Sequence, residues 1–411
     1  MGEPVSAADD PDGSHLLTSP RIAGLLEAVV EQAGGVLAGW SMDHVDANPG
    51  HSTTATYAAQ VRWPYGQREE LIGVSARTTG RAASDDRAQL FTIDGREVAA
   101  WIYPADPDLP GLERAAYPEQ MAALINDEGL LDRPISAGQV SLGMIGYRPR
   151  RRAVLKCAVS DPRVTFFVKV QKARAFAETL QRHRLLLEGG VPSPVVRCAT
   201  PDHILVLDEL PGRPLAKAIF DPAPPCTAES LIGMLDSMPA GVARLERRPP
   251  WSEAVDHYAG VITAAMPDQA TRLTWMARQI HAGLDPIEVG HEATHGDFHE
   301  GQVFVADGRP SGMLDIDTIG PGRRADDLAC LVAHLSTVQR MNAEQAAAVH
   351  RLIRAWVPVF DERVDPVELR LRAAAVIISL ATGPYRGQEA NWQGETAWIL
   401  DAAEALVRQV S

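Results

Sequence analysis

The sequence predicts an α+β protein in which strand-forming segments come first and a mainly helical remainder follows. Two observations carry this. Residues 53–63, 70–78, 88–93 and 97–104 are alternating or β-branched runs broken by turn residues. From residue 136 the pattern changes to three strands and a helix, after which apolar residues recur mostly at helical spacing.

Taken in order, residues 1–19 are rich in Asp, Ser, Pro and Gly and read as a loose, flexible tail. RIAGLLEAVVEQAGG (21–35) has apolar residues at helical spacing and a double glycine to end it. The runs 88–93 and 97–104 are separated by Asp94-Gly95, a strong hairpin signal. PADPDLPGL, with its three prolines, interrupts the pattern before a helix at about 117–130, and residues 20–135 read as a small α+β cap domain. QVSLGMIGY, RRAVLKCAV and VTFFVKVQ then read as strands, the last two joined across Ser160-Asp161-Pro162-Arg163. ARAFAETLQRHRLLLEGG is a helix ended by Gly189-Gly190, and HILVLDEL is a further strand. Residues 136–212 thus form one segment, and 213–411 form the helical one.

Composition narrows the function. Hydrophobic residues at 45% and charged residues at 22% are ordinary globular values. A formal charge of −14 argues against a nucleic-acid or anionic-membrane surface as the main partner. Cys157, Cys198, Cys226 and Cys330 are widely spaced, with no paired zinc-type spacing, which fits a reduced cytoplasm. No apolar run is long enough to span a bilayer, and the polar N-terminus gives no export signal.

The chemistry concentrates in HGDFHEGQVFV (295–305) and LDIDT (314–318). A strand pair 302–306 and 311–315, turning at Asp307-Gly308, brings Asp297 and Asp315 to one edge. One carboxylate can then accept a proton from a hydroxyl, while the other and an amide oxygen hold magnesium. That is the apparatus of phosphoryl transfer, which works by positioning and charge neutralisation. Upstream, Lys169 interrupts the apolar strand FFVKVQ and needs an acidic partner, which Glu178 on the next helix could supply.

With these residues in place, the segment from 136 to 411 resembles the aminoglycoside phosphotransferase and small-molecule kinase family, relatives of the protein kinases. The resemblance implies a bilobal protein-kinase-like fold, a β-rich nucleotide lobe and a helical catalytic lobe, here preceded by the cap. It implies ATP and Mg2+ as nucleotide and metal. In family terms Asp297 looks like the catalytic base, His295 like the residue fixing the catalytic loop, and Asp327 like the aspartate pinning that loop from the following helix. Gln302 and Asp315 look like metal ligands, with Asp317 as a second carboxylate. Lys169 and Glu178 look like the phosphate-orienting pair, and Leu207, Asp208, Glu209 and Leu210 like the adenine-binding hinge. Departures are a missing Gly-rich phosphate loop, since GMIGYRPRRRA has only Gly143 and Gly146, and Gln302 where most members carry Asn. The arginine run 148–152 reads equally as solvated or as phosphate-binding.

The form H-G-D-x-H-x-G-Q, with an N-terminal cap, resembles the maltokinase and glucosamine-kinase-like branch and implies a sugar or aminosugar hydroxyl as acceptor. Glu389, Trp392 and Glu395, in an aromatic and polar segment near the C-terminus, are the candidate acceptor contacts; Trp392 reads at least as well as a core anchor. An aminoglycoside-type phosphotransferase and a catalytically silent nucleotide-binding regulator are the competing readings.

Overall fold

In a computed structural model, described over residues 10–48, 50–77, 87–93, 95–338 and 341–410, the chain divides into two compact units. The first comprises residues 1–176, 196–208 and 385–390, and the second 177–195, 209–384 and 391–411. Sheets dominate the first and helices the second, so the class is α+β as expected.

The first unit holds two antiparallel five-stranded sheets. Strands β1 (Val36–Asn48), β2 (Ser52–Trp63), β3 (Gly66–Arg77), β4 (Gln89–Ile93) and β5 (Arg96–Ile102) form one, in the order β1-β2-β3-β5-β4. Strands β6 (Val140–Arg148), β7 (Arg152–Val159), β8 (Val164–Gln171), β9 (Val196–Ala199) and β10 (Ile204–Asp208) form the other, in the order β6-β7-β8-β10-β9. Asp94 lies outside the described residues, but its flanks pair Ile93 with Arg96, as a tight hairpin requires.

Two parts of this unit depart from the sequence reading. Residues 14–18, expected in the loose tail, are helical and bury Leu16 and Leu17 against the first sheet. Asp10 makes this possible, its carboxylate accepting from the amides of His15 and Leu16 and so satisfying donors that the short helix leaves open. Residues 1–9 of that tail lie outside the described residues. The helix Pro118–Asp127, expected to close the first segment, buries Met121, Leu124 and Ile125 in the core of the second sheet. The loop before it is held by Asp106, which accepts from the Tyr147 hydroxyl (2.7 Å) and from the amides of Arg150 (2.7 Å) and Asp108 (2.8 Å). Gly111 lets this segment approach closely, since a Cβ there would stand 2.6 Å from the Asp202 carbonyl oxygen.

The second unit is built around the helix Pro366–Leu380, which is apolar on nearly every face and packs against the helices Ala270–Leu284, Arg324–Ser336 and Trp392–Arg408. Small strands punctuate it: β11 (Arg213–Pro214), β12 (Glu292–Thr294), β13 (Val303–Ala306), β14 (Arg309–Met313) and β15 (Gly320–Gly322). The predicted hairpin is β13–β14, and its turn residues Asp307 (φ 51°) and Gly308 (φ 74°) both take the left-handed conformation that two-residue hairpins favour. Strand β12 pairs with β15, so the segments flanking the H-G-D and D-I-D motifs are joined at both ends. Among the described residues no helix is long and apolar enough to cross a membrane.

Candidate active site

The H-G-D loop leaves β12 at Thr294, whose hydroxyl bonds the Gly320 carbonyl at 2.9 Å. His295 is fully buried. Its Nε2 donates to the Leu314 carbonyl (2.9 Å) and its Nδ1 accepts from the Asp297 amide (3.3 Å), so the tautomer is set by the two partners. The imidazole thereby ties the H-G-D loop to the residue preceding Asp315. Gly296, at φ +81°, is needed for two reasons: the conformation is left-handed, and a Cβ would lie 2.7 Å from the Thr318 carbonyl oxygen. Thr318 closes the same contact from its side by donating to the His295 carbonyl at 2.8 Å.

Asp327 anchors this loop from below. Its carboxylate is wholly buried and accepts from the amides of His295 (3.0 Å) and Gly296 (2.8 Å) and from the Arg324 guanidinium (2.9 Å). Burial pushes its carboxyl above the usual carboxylate range, and Arg324 and the amides pull against that shift. Arg324, itself buried, uses its remaining N–H groups on Asp236 and on the carbonyls of Leu235 and Ala293. A buried charge pair of this kind persists because each partner is multiply bonded.

Asp297 follows the anchored glycine and is half-buried, with the Cys330 thiol 3.8 Å from its Oδ1. On its far side the His299 and His334 rings stack at 4.0 Å and 8°. Burial lowers the His334 pKa to about 4, with His299 adding to the effect. For His299, burial is outweighed by Glu300 and Asp297, which raise it. Glu300, half-buried beside the stacked imidazoles with its Oε2 3.8 and 3.9 Å from their Nδ1 atoms, is held below the ordinary carboxylate value by them against its own desolvation.

The Gln302 carbonyl accepts from the Leu314 amide (2.7 Å), which sets Gln302 and Asp315 on adjoining backbone. Asp315 itself adopts the left-handed conformation (φ 46°, ψ 49°), unusual for a non-glycine and tolerated best by Asn and Asp. Asp317 is buried and accepts from the Thr179 hydroxyl at 3.0 Å, while neighbouring Arg182 donates to the Ile319 carbonyl. The structure therefore brings His295, Asp297, Gln302, Asp315, Asp317 and Asp327 into one tightly bonded assembly of the second unit.

The other expected residues are placed as follows. Lys169 is buried in β8 of the first unit, in register with Val154 and Leu205. Glu178 accepts from Arg182 (3.3 Å) and Arg248 (2.6 Å). Leu207 is buried and Asp208 pairs with Arg197 at the end of β10, whereas Glu209 is exposed and Leu210 packs beside Gly312. Trp392 packs against the helical core, Glu395 lies in the first turn of its helix, and Glu389 is half-buried. The sequence reading missed Arg324, Thr318 and His334. For His334 a signal existed: Asp327, Cys330 and His334 recur at i, i+3 and i+7 and so share one face of their helix.

A carboxylate set on an anchored loop, with a second carboxylate beyond a short hairpin, is the equipment that transfer of a phosphoryl group to a hydroxyl requires. The family comparison agrees: the model of the phosphotransferase enzyme family matches residues 146–365, and the chain belongs to that family. No curated protein matches by sequence. Solved structures similar to this chain include choline kinase LicA from Streptococcus pneumoniae, at 12% identity over 70% of this chain and 99% of that one, with a TM-score of 0.46. Plasmodium vivax ethanolamine kinase is similar at 11% identity over 71% and 90%, with a TM-score of 0.46. The macrolide 2'-phosphotransferase MphH from Brachybacterium faecium is similar at 19% identity over 70% and 98%, with a TM-score of 0.40.

Proposed function

We propose that this phosphotransferase moves the γ-phosphate of ATP to a hydroxyl of a sugar, aminosugar or related small molecule, as in the maltokinase and glucosamine-kinase-like branch. The observation that carries the reading is the Asp297 loop: Asp327, His295 and Thr318 fix its backbone while the Asp297 carboxylate itself stays partly open. In that role Asp297 orients the acceptor hydroxyl and takes its proton. Lys169 is assigned to the nucleotide phosphates, and the Leu207–Leu210 segment to adenine. The H-G-D-x-H-x-G-Q form and the strand-rich N-terminal segment favour the sugar branch over an antibiotic acceptor.

The donor set fits magnesium. Asp315 offers carboxylate oxygens, and Gln302 an amide oxygen that has no partner among the described residues while its amide nitrogen lies 3.1 Å from His299 Nε2. Both are hard oxygen donors of the kind Mg2+ takes. Asp317 is the second carboxylate of the set. When bound, the metal neutralises phosphate charge. The His299 contact holds the longer Gln side chain in place, which supports an amide one methylene longer than Asn at this position.

ADP release measured with Mg-ATP against a panel of sugars, aminosugars and aminoglycosides tests the reading. Turnover with a sugar or aminosugar, well above that with water alone, is expected. Turnover confined to aminoglycosides would replace the acceptor class, and nucleotide binding without turnover on any acceptor would favour a silent regulator.

A further inference from the structure

Outside the catalytic loop, the first unit contains a concave site with an unusual charge balance. The register of the first sheet places His44 opposite Thr56, Asp46 opposite Thr54 and Asn48 opposite Ser52, and places Ser52 opposite Arg77 on β3. Side chains directly opposite on paired strands share a face, so this end of the sheet presents hydroxyl, amide and cationic groups together. Facing them is the tip of the β6–β7 hairpin, with Arg148, Arg150 and Arg151, and Lys172 just beyond β8. The groups enclose a cavity of about 170 Å³.

The cations are only partly compensated. Asp108 takes both Arg150 (3.1 Å) and Lys172 (2.7 Å). Asp46 is shared between Arg151 (3.2 Å) and Arg386 (3.5 Å). The Arg77 and Arg148 side chains have no ion pair or hydrogen bond among the described residues. The site is also built rather than incidental: the Arg150 side chain is only 7% exposed, and its backbone, at φ +61°, is pinned by the Asp106 carboxylate. Partial burial, followed by the guanidiniums of Arg150 at Arg77 and of Arg152 and Arg386 at Arg148, lowers the pKa of both, with Asp108 and Asp46 pulling the other way.

We propose that this cavity is a binding site for a phosphate dianion, free or carried by a small phosphomonoester, separate from the nucleotide site. Guanidinium groups match phosphate oxygens in pairs, and Ser52 and Thr54 supply neutral hydroxyls at the cavity wall. The cavity has room for a phosphoryl group with a small organic substituent, and its cations come from both sheets, so an anion here would link the β1–β3 face to the β6–β7 hairpin.

The test is calorimetric titration of the full chain with inorganic phosphate and, separately, with glucose 6-phosphate, each with and without saturating Mg-ADP and with chloride balanced. Binding of either probe that persists under Mg-ADP supports the site. The two arms separate the sources, since glucose 6-phosphate binding tighter than phosphate assigns a phosphomonoester, and the reverse assigns the free ion. Arg77→Gln and Arg148→Gln should each weaken binding by roughly tenfold, the usual effect of losing one charge-assisted hydrogen bond, and the double variant by more. Both side chains are exposed, and an unchanged melting temperature checks that the variants fold. Loss of probe binding when Mg-ADP is added would assign the anion to the nucleotide site instead. Equal affinity in wild type and the double variant, or no binding of either probe to wild type, would overturn the proposal.

Discussion

Asp327 and Arg324 are 0% and 3% exposed, and each spends its polar atoms on several partners within the second unit. Arg77 and Arg148, by contrast, stand exposed at the rim of a cavity in the first unit with no ion pair among the described residues. The two regions show what charge does in each place. At the H-G-D loop the charges fix backbone geometry, because a buried ion is tolerated only when fully bonded. Around the cavity they are held near one another against repulsion, which stabilises nothing by itself and becomes favourable only when an anion arrives.

This contrast can be broken by removing charges on either side. The largest effect is expected from Asp327→Ala, which removes the buried carboxylate partner of Arg324, leaving it only the half-exposed Asp236, and frees the amides of His295 and Gly296. Breaking a buried pair in this way costs about 3 to 5 kcal/mol, to be read by urea unfolding, and turnover should fall with it because the loop loses its anchor. A variant as stable as wild type would mean that the buried network does not hold the loop.

A middle-sized effect is expected at His334. Its folded pKa, about 4, lies below the ordinary 6.5, so between those values the unfolded chain binds the proton that the folded chain refuses. Its contribution to stability is therefore present above pH 6.5 and is lost as pH falls from 6.5 toward 4. The full window, at about 1.4 kcal/mol per pH unit, corresponds to roughly 3 kcal/mol. His334→Gln should flatten that part of the stability curve relative to wild type, and parallel curves for the two proteins would show that the stacked imidazole is not held neutral.

The smallest effect belongs to the arginines. Arg77→Gln and Arg148→Gln should change unfolding stability by no more than about 0.5 kcal/mol in anion-free buffer, and relief of repulsion could make the change favourable. A loss comparable to that of Asp327→Ala would place these side chains in the structural core and erase the distinction between the two regions.

What could be read from the sequence was local. The β13–β14 hairpin follows from alternation and from Asp307-Gly308, and the H-G-D and D-I-D spacing follows from that hairpin, so the core of the site was visible as a pattern. Strand β1 was not anticipated, because VLAGWSMDHVDAN is only partly buried along its length and shows no clean alternation. Strand β9 is only four residues long and gives too short a period to detect. The helix at 14–18 depends on Asp10 and on a sheet formed much later in the chain. Arg324 was invisible for the same reason, since its partners Asp236, Leu235 and Ala293 lie far away in sequence. The arginine run 148–152 was left between a solvated and a phosphate-binding role. Only the packing of two sheets shows that Arg148, Arg150 and Arg151 line a cavity with Arg77.

Asp297 is proposed as the base of a phosphoryl transfer, held in place by groups that do not themselves react. Asp297→Asn keeps the shape and hydrogen-bonding size of the side chain and removes its proton-accepting charge. Steady-state ADP release with the best acceptor, alongside calorimetric binding of Mg-ATP, therefore tests the claim directly. The expected result is nucleotide affinity close to wild type with kcat lowered by about 10²- to 10⁴-fold, the usual contribution of a general base. A variant retaining more than about a tenth of wild-type kcat would contradict the assignment.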